Sequence, residues 1–100
     1  VILKERQRMN AHAWRVNADE EKYIYCVQFD GFKGKRKANK LLKMMTEQWR
    51  IVAEGFNPKN SELTYIFSRE FDDTKQWREW AKQFPMTLLE TTSHGNIRTY

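Results

Sequence analysis

Two stretches of this chain repeat apolar residues on a helical period. Ala38, Leu41, Leu42 and Met45 stand at i, i+3, i+4 and i+7, and Trp77, Trp80, Ala81 and Phe84 repeat the same spacing. An apolar stripe of this kind needs another apolar surface to cover it. The runs between and around the two stripes alternate like strands. The pattern therefore constrains the chain to helices laid on a sheet.

Tyr23–Phe29 is rich in β-branched and aromatic residues and closes at Asp30-Gly31, which reads as a strand. Both of its faces are apolar, so it is expected at the centre of the sheet. A helix is predicted from about Lys35 to Trp49. Arg50–Glu54 and Leu63–Ser68 read as strands, and Asn57-Pro58-Lys59-Asn60 between them is turn chemistry, so they should form an antiparallel hairpin. Asp72 and Asp73 can cap a second helix that Pro85 stops. Thr87–Thr92 reads as a last strand, broken at Gly95, with a tail that is loose or adds a short edge.

From Tyr23 onward the order is β-α-β-β-α-β. It resembles the ferredoxin-like, or split βαβ, topology. That resemblance implies an α+β fold with a four-stranded antiparallel sheet and both helices on one face. The edges would then be Arg50–Glu54 and Thr87–Thr92. Leu41, Leu42, Met45, Trp77, Trp80 and Phe84 are the expected core. Residues 23–100 read as a single domain. Residues 1–22 read as an N-terminal extension or extra strand, with Ala13–Val16 a strand candidate turning at Asn17-Ala18-Asp19-Glu20.

One hundred residues suffice for one core without covalent staples. Cys26 is the single cysteine, so no internal disulfide can form, and His12 and His94 are far apart. No metal site and no cofactor are expected. No apolar run approaches the roughly 20 residues of a membrane span, and no leader is visible. A reducing, cytoplasmic setting is expected.

Charge is distributed unevenly. The first fifty residues carry twelve basic against six acidic side chains, and the last fifty carry six against seven. Lys33, Lys35, Arg36, Lys37, Lys40 and Lys43 place six positive charges in eleven residues with no acid among them. Such a patch favours an anionic partner, nucleic acid or an acidic protein surface. Gly31-Phe32-Lys33-Gly34 leads from the strand into the helix, where backbone N–H groups suit a phosphate. It is not a Walker loop: Phe29 and Arg36 stand where Gly and Ser/Thr are required.

RNA-recognition motifs share the βαββαβ order and stack bases on sheet aromatics. Tyr23, Tyr25 and Tyr65 are the corresponding candidates, although Leu63–Phe71 lacks the aromatic-glycine signature of that family. The same rings can instead face the helices as core. Asp30, at the end of the first strand, resembles the metal-binding position of Cas2-like nucleases. The expected function is a non-enzymatic nucleic-acid-binding or regulatory module. The alternatives are a protein-interaction module, a small inhibitor or adaptor that binds an acidic partner or pairs an exposed sheet edge with another strand, self-association included, and a metal-dependent nuclease.

Overall fold

The computed structural model describes residues 10–16, 21–33, 35–92 and 96–100, the side chains of Asn10, Lys35, Arg36 and Lys37 excepted. Residues 1–9 of the expected N-terminal extension and the whole of its turn, Asn17-Ala18-Asp19-Glu20, lie outside them, as do Gly34 of the loop before the first helix, His94 and Gly95. The elements are β1 (Asn10–Val16), β2 (Tyr23–Phe32), α1 (Lys35–Thr46), β3 (Arg50–Asn57), β4 (Glu62–Phe71), α2 (Thr74–Gln83), β5 (Leu88–Thr91) and β6 (Ile97–Thr99).

The six strands form one sheet in the order β3-β4-β2-β1-β5-β6. This corrects the expected four-stranded antiparallel sheet. The hairpin β3–β4 and the pairing of β4 with β2 are as expected. β1, however, pairs antiparallel with β2, from Asn10 opposite Asp30 to Val16 opposite Ile24. It thereby separates β2 from β5 and runs parallel to β5, so the sheet is mixed. Ala11 and Ala13, the β1 residues beside Phe29 and Val27, are small and buried, which leaves room for larger rings over the strand. β6 then covers the outer side of β5. The edges are β3 and β6, and β5 is an inner strand.

Tyr25, Val27 and Phe29 on β2 face the same way as Tyr65, Phe67 and Phe71 on β4. Both helices bury their stripes in the cluster built on that face. α1 contributes Ala38, Leu41 and Met45, and α2 contributes Trp77 and Ala81, with Phe84 just beyond it. Leu42 and Trp80 are only partly buried. α1 stops at Thr46, short of the expected Trp49, because the chain tightens there: Gln48 N and Trp49 N both donate to Met45 O. Trp49 still belongs to the core, against Phe71 and Trp77.

Local chemistry sets the element ends. Asp73 caps α2 by accepting from Gln76 N at 2.8 Å, and Gln76 Oε1 accepts from Asp72 N at 2.7 Å. In the β3–β4 turn, Asn57 Oδ1 accepts from Lys59 N and Asn60 Oδ1 from Glu62 N, both at 3.0 Å. The β2–β4 register shifts between Phe29 and Phe32, where Gly31 has φ of 92°, a conformation open to glycine at little cost.

Burial sets the expected ranking of core substitutions. Met45→Ala should cost about 2–5 kcal/mol, the range for a fully buried large side chain. Leu42→Ala should cost clearly less, because Leu42 is half-buried. Urea unfolding of the two variants checks the order, and a larger loss at Leu42 would overturn this placement of α1.

Candidate nucleic-acid interface

The stripe that α1 buries decides what it leaves outside. With Ala38, Leu41 and Met45 inward, Lys40 and Lys43 are exposed, as is Lys33 in the loop that leads into the helix. α1 carries no acid in its first turn. None of Lys33, Lys40 and Lys43 has a carboxylate partner among the described residues. The backbone of Lys35, Arg36 and Lys37 forms the first turn of α1, while their side chains lie outside the described residues. Lys40 and Lys43 stand three residues apart, so their charges form a short ridge along the outer side of the helix.

The tyrosines are placed differently from the expectation. Tyr25 and Tyr65 are each 2% exposed and face the helices. Tyr25 stacks on Trp77 at 4.3 Å, and Tyr65 meets Phe32 edge-on at 5.8 Å. Neither ring has a free face for a base, so the candidate stacking surface is corrected to core. The alternation of β2 and β4 was legible in sequence, but which face the helices would cover was not. Tyr23 is half-buried, and the Arg15 guanidinium lies 4.4 Å from its ring centroid. The uncovered face carries His12, Trp14, Ile24, Gln28 and Ile66, half-buried, on the far side of the sheet from α1. One strand cannot therefore lie on the lysine ridge and on that face together.

Asp30 is held by hydrogen bonds. Its carboxylate accepts from Thr64 Oγ1 at 2.8 Å and from Gln28 Nε2 at 3.1 and 3.2 Å. No group of three or more His, Cys, Asp or Glu side chains that could hold a metal occurs among the described residues. No helix among them is long and apolar enough to cross a membrane.

A feature missed in the sequence is Glu90, 6% exposed and facing the helices from β5. Its Oε1 accepts from Trp77 Nε1 at 2.8 Å and from the Tyr100 hydroxyl at 2.7 Å. Arg98 stands opposite it on β6. Arg15, Thr74 and Thr92 complete a crevice of about 180 Å³. These groups bond to one another or to the backbone, so the crevice works as a bracket that ties the C-terminal strand to α2. The sequence signal was a single acid in the apolar run Leu88-Leu89-Glu90.

No protein-family model, curated protein or solved structure matches the chain. The functional reading therefore rests on this geometry.

Burial raises the pKa of Tyr25, Tyr65 and Tyr100 above the ordinary phenol value, and that of the Cys26 thiol above its own. Glu90 raises the two tyrosines beside it further, Tyr100 also through the hydrogen bond. The folded state then keeps protons that the unfolded chain releases. The stabilisation is complete below the unfolded values, about 9 for the thiol and about 10 for the phenols, and is lost as pH rises through the folded ones. Unfolding free energy should therefore fall from about pH 9 to about pH 11, with a shallower fall for Tyr100→Phe. A flat profile over that range would contradict this placement of the phenols.

Proposed function

We propose that this chain is a non-enzymatic nucleic-acid-binding module that holds phosphates along the outer side of α1. The observation that carries the reading is the exposure of Lys33, Lys40 and Lys43 on a basic segment free of acids. Like charges at i, i+3 and i, i+4 destabilise a helix by about 0.2–0.5 kcal/mol per pair. Positive charge in the first turn also opposes the helix dipole. The segment thus carries a local cost that an anionic partner relieves. Phosphates satisfy it through charge and through N–H groups of the lysines, with no need for a preformed pocket. The reading supplies affinity without sequence preference, since backbone contacts carry none.

A second reading rests on β3. All eight of its residues are exposed, and Ile51, Val52 and Phe56, the last at 61%, stand on an edge strand whose only charges are Arg50 and Glu54. An edge of that composition is open to pairing with another strand. Sedimentation should show self-association that rises with concentration and that Val52→Lys abolishes. A monomer at high concentration would end that reading for a second copy of the chain.

For the leading reading, affinity for DNA or RNA should fall steeply with salt, by roughly 0.7–0.9 log units per log unit of salt for each phosphate held. Lys40→Gln with Lys43→Gln should lower that slope by about one such increment per lysine. The fold should be unchanged, since both side chains are exposed. Absence of affinity for either nucleic acid at low salt would overturn the reading, and an acidic protein surface would take its place.

A further inference from the structure

β3 is the longer of the two sheet edges, with eight residues against three in β6. An edge strand presents a row of backbone N–H and C=O groups that a further strand can take up. Two features bound the usable part of that row. The β3–β4 register shifts between Ile51 and Ala53, so Val52 is an extra residue that interrupts the ladder. Pro58, directly after the strand, has no N–H to donate. Between them Ala53–Asn57 pairs with β4 without a shift, and Gly55 stands at its middle.

That stretch is self-complementary. A strand that meets its own copy antiparallel about a two-fold axis pairs residues equally distant from the axis. With the axis at Gly55, Ala53 stands opposite Asn57 of the second copy, Glu54 opposite Phe56, and Gly55 opposite Gly55. Val52 then falls opposite Pro58, so the two interruptions coincide and every pair between them is kept. An axis at Ala53 would run the ladder through the shift at Val52. An axis at Glu54 would set two carboxylates directly opposite each other, which destabilises a strand pair. The side chains agree with the Gly55 axis. Glu54 and Phe56 lie opposite Tyr65 and Leu63 of β4, hence on the helix side of the sheet. The helices leave Phe56 61% exposed beside a notch of about 220 Å³ lined by Glu54, Gly55, Phe56, Leu63 and Tyr65. About this axis the two Phe56 residues become diagonal neighbours, about 7–8 Å apart and within reach of aromatic side chains. Each ring lies against Glu54 of the other copy, at the rim of its notch.

We propose that two copies of this chain pair antiparallel through β3 about a two-fold axis at Gly55, joining their sheets into one. The inference rests on the second reading above, pairing at the β3 edge, and is independent of the nucleic-acid reading. The axis is perpendicular to the sheet, so both copies keep their helices, and both lysine ridges, on the same side. The paired stretch is short, and each copy carries a net charge of +5. The association is therefore weak and is populated at high protein concentration.

Gly55→Cys tests the axis. Gly55 has no positive φ, and a Cβ there meets nothing within 4 Å, so the single chain accommodates the thiol. Residues opposed at the axis have Cα atoms about 4.5–5.5 Å apart, within disulfide reach. Ala53→Cys is the control, because its own copy lies about 13 Å further along the strand, past the limit of about 7 Å for a disulfide. Cys26 is buried and offers no exposed thiol. Each full-length variant is concentrated, treated with oxidised glutathione and run on a non-reducing gel, and the unaltered chain is sedimented over a range of salt. Gly55→Cys should give a covalent dimer and Ala53→Cys should not. Self-association of the unaltered chain should strengthen with salt, which screens the repulsion of two like-charged copies, the reverse of the trend expected for nucleic acid. A covalent dimer of Ala53→Cys, or of neither variant in a chain that self-associates, would overturn this axis and leave pairing at the β3 edge standing. Association that salt weakens would mean a contact between opposite charges and would overturn the inference as well. A monomer at high concentration would overturn the axis and the self-pairing together, with the nucleic-acid reading untouched.

Discussion

Trp77 has a single polar atom, and Glu90 is a carboxylate taken almost wholly out of water. Each is costly to bury alone, since an indole N–H needs an acceptor and a buried carboxylate needs donors. Their 2.8 Å hydrogen bond answers both needs at once. Around it, Trp77 is fully buried, stacked on Tyr25 and Trp80 and edge-on to Phe71, Trp49 and Tyr100. One side chain thus joins α2 to β2, β4, β5 and the C-terminal residue. Tyr100 closes the bracket by donating to the same Glu90 oxygen and, through its backbone N–H, to Leu88 O at 2.9 Å.

That concentration of rings shapes what is left for a partner. Tyr25, Tyr65 and Phe67 are consumed by the core, so the face that could have resembled a base-stacking platform is closed. The sheet and its two helices supply the stability, and α1 can therefore carry a repulsive outer side.

Much of the fold was legible in the chain. Each helix has a stripe at i, i+3, i+4, i+7, and the β3–β4 hairpin has its turn residues, because these are local rules with strong periodic signals. The insertion of β1 was not legible. A short alternating stretch such as Asn10–Val16 carries too little pattern to name its neighbours, and a parallel pairing with β5 links residues far apart in sequence. The sequence leaves the tail after Gly95 between a loose end and a short edge, and the structure gives the short edge, β6; with β1 inserted, the edges are β3 and β6. The candidate site divided along the same line: the lysines were visible as a run without acids, whereas the hydrogen bonds of Glu90 exist only once distant side chains meet.

What the sequence by itself determined is therefore the helices, the strands β2, β3 and β4 and the charge of α1's outer side, since period and composition act within a few residues. What only the tertiary structure decided is which sheet face the helices cover, and with it the fate of Tyr25 and Tyr65. Both faces of β2 carry apolar groups, so alternation alone does not choose between them. The choice is made by the rings of α2, which pack where Tyr25 and Glu90 lie on the same side of the sheet.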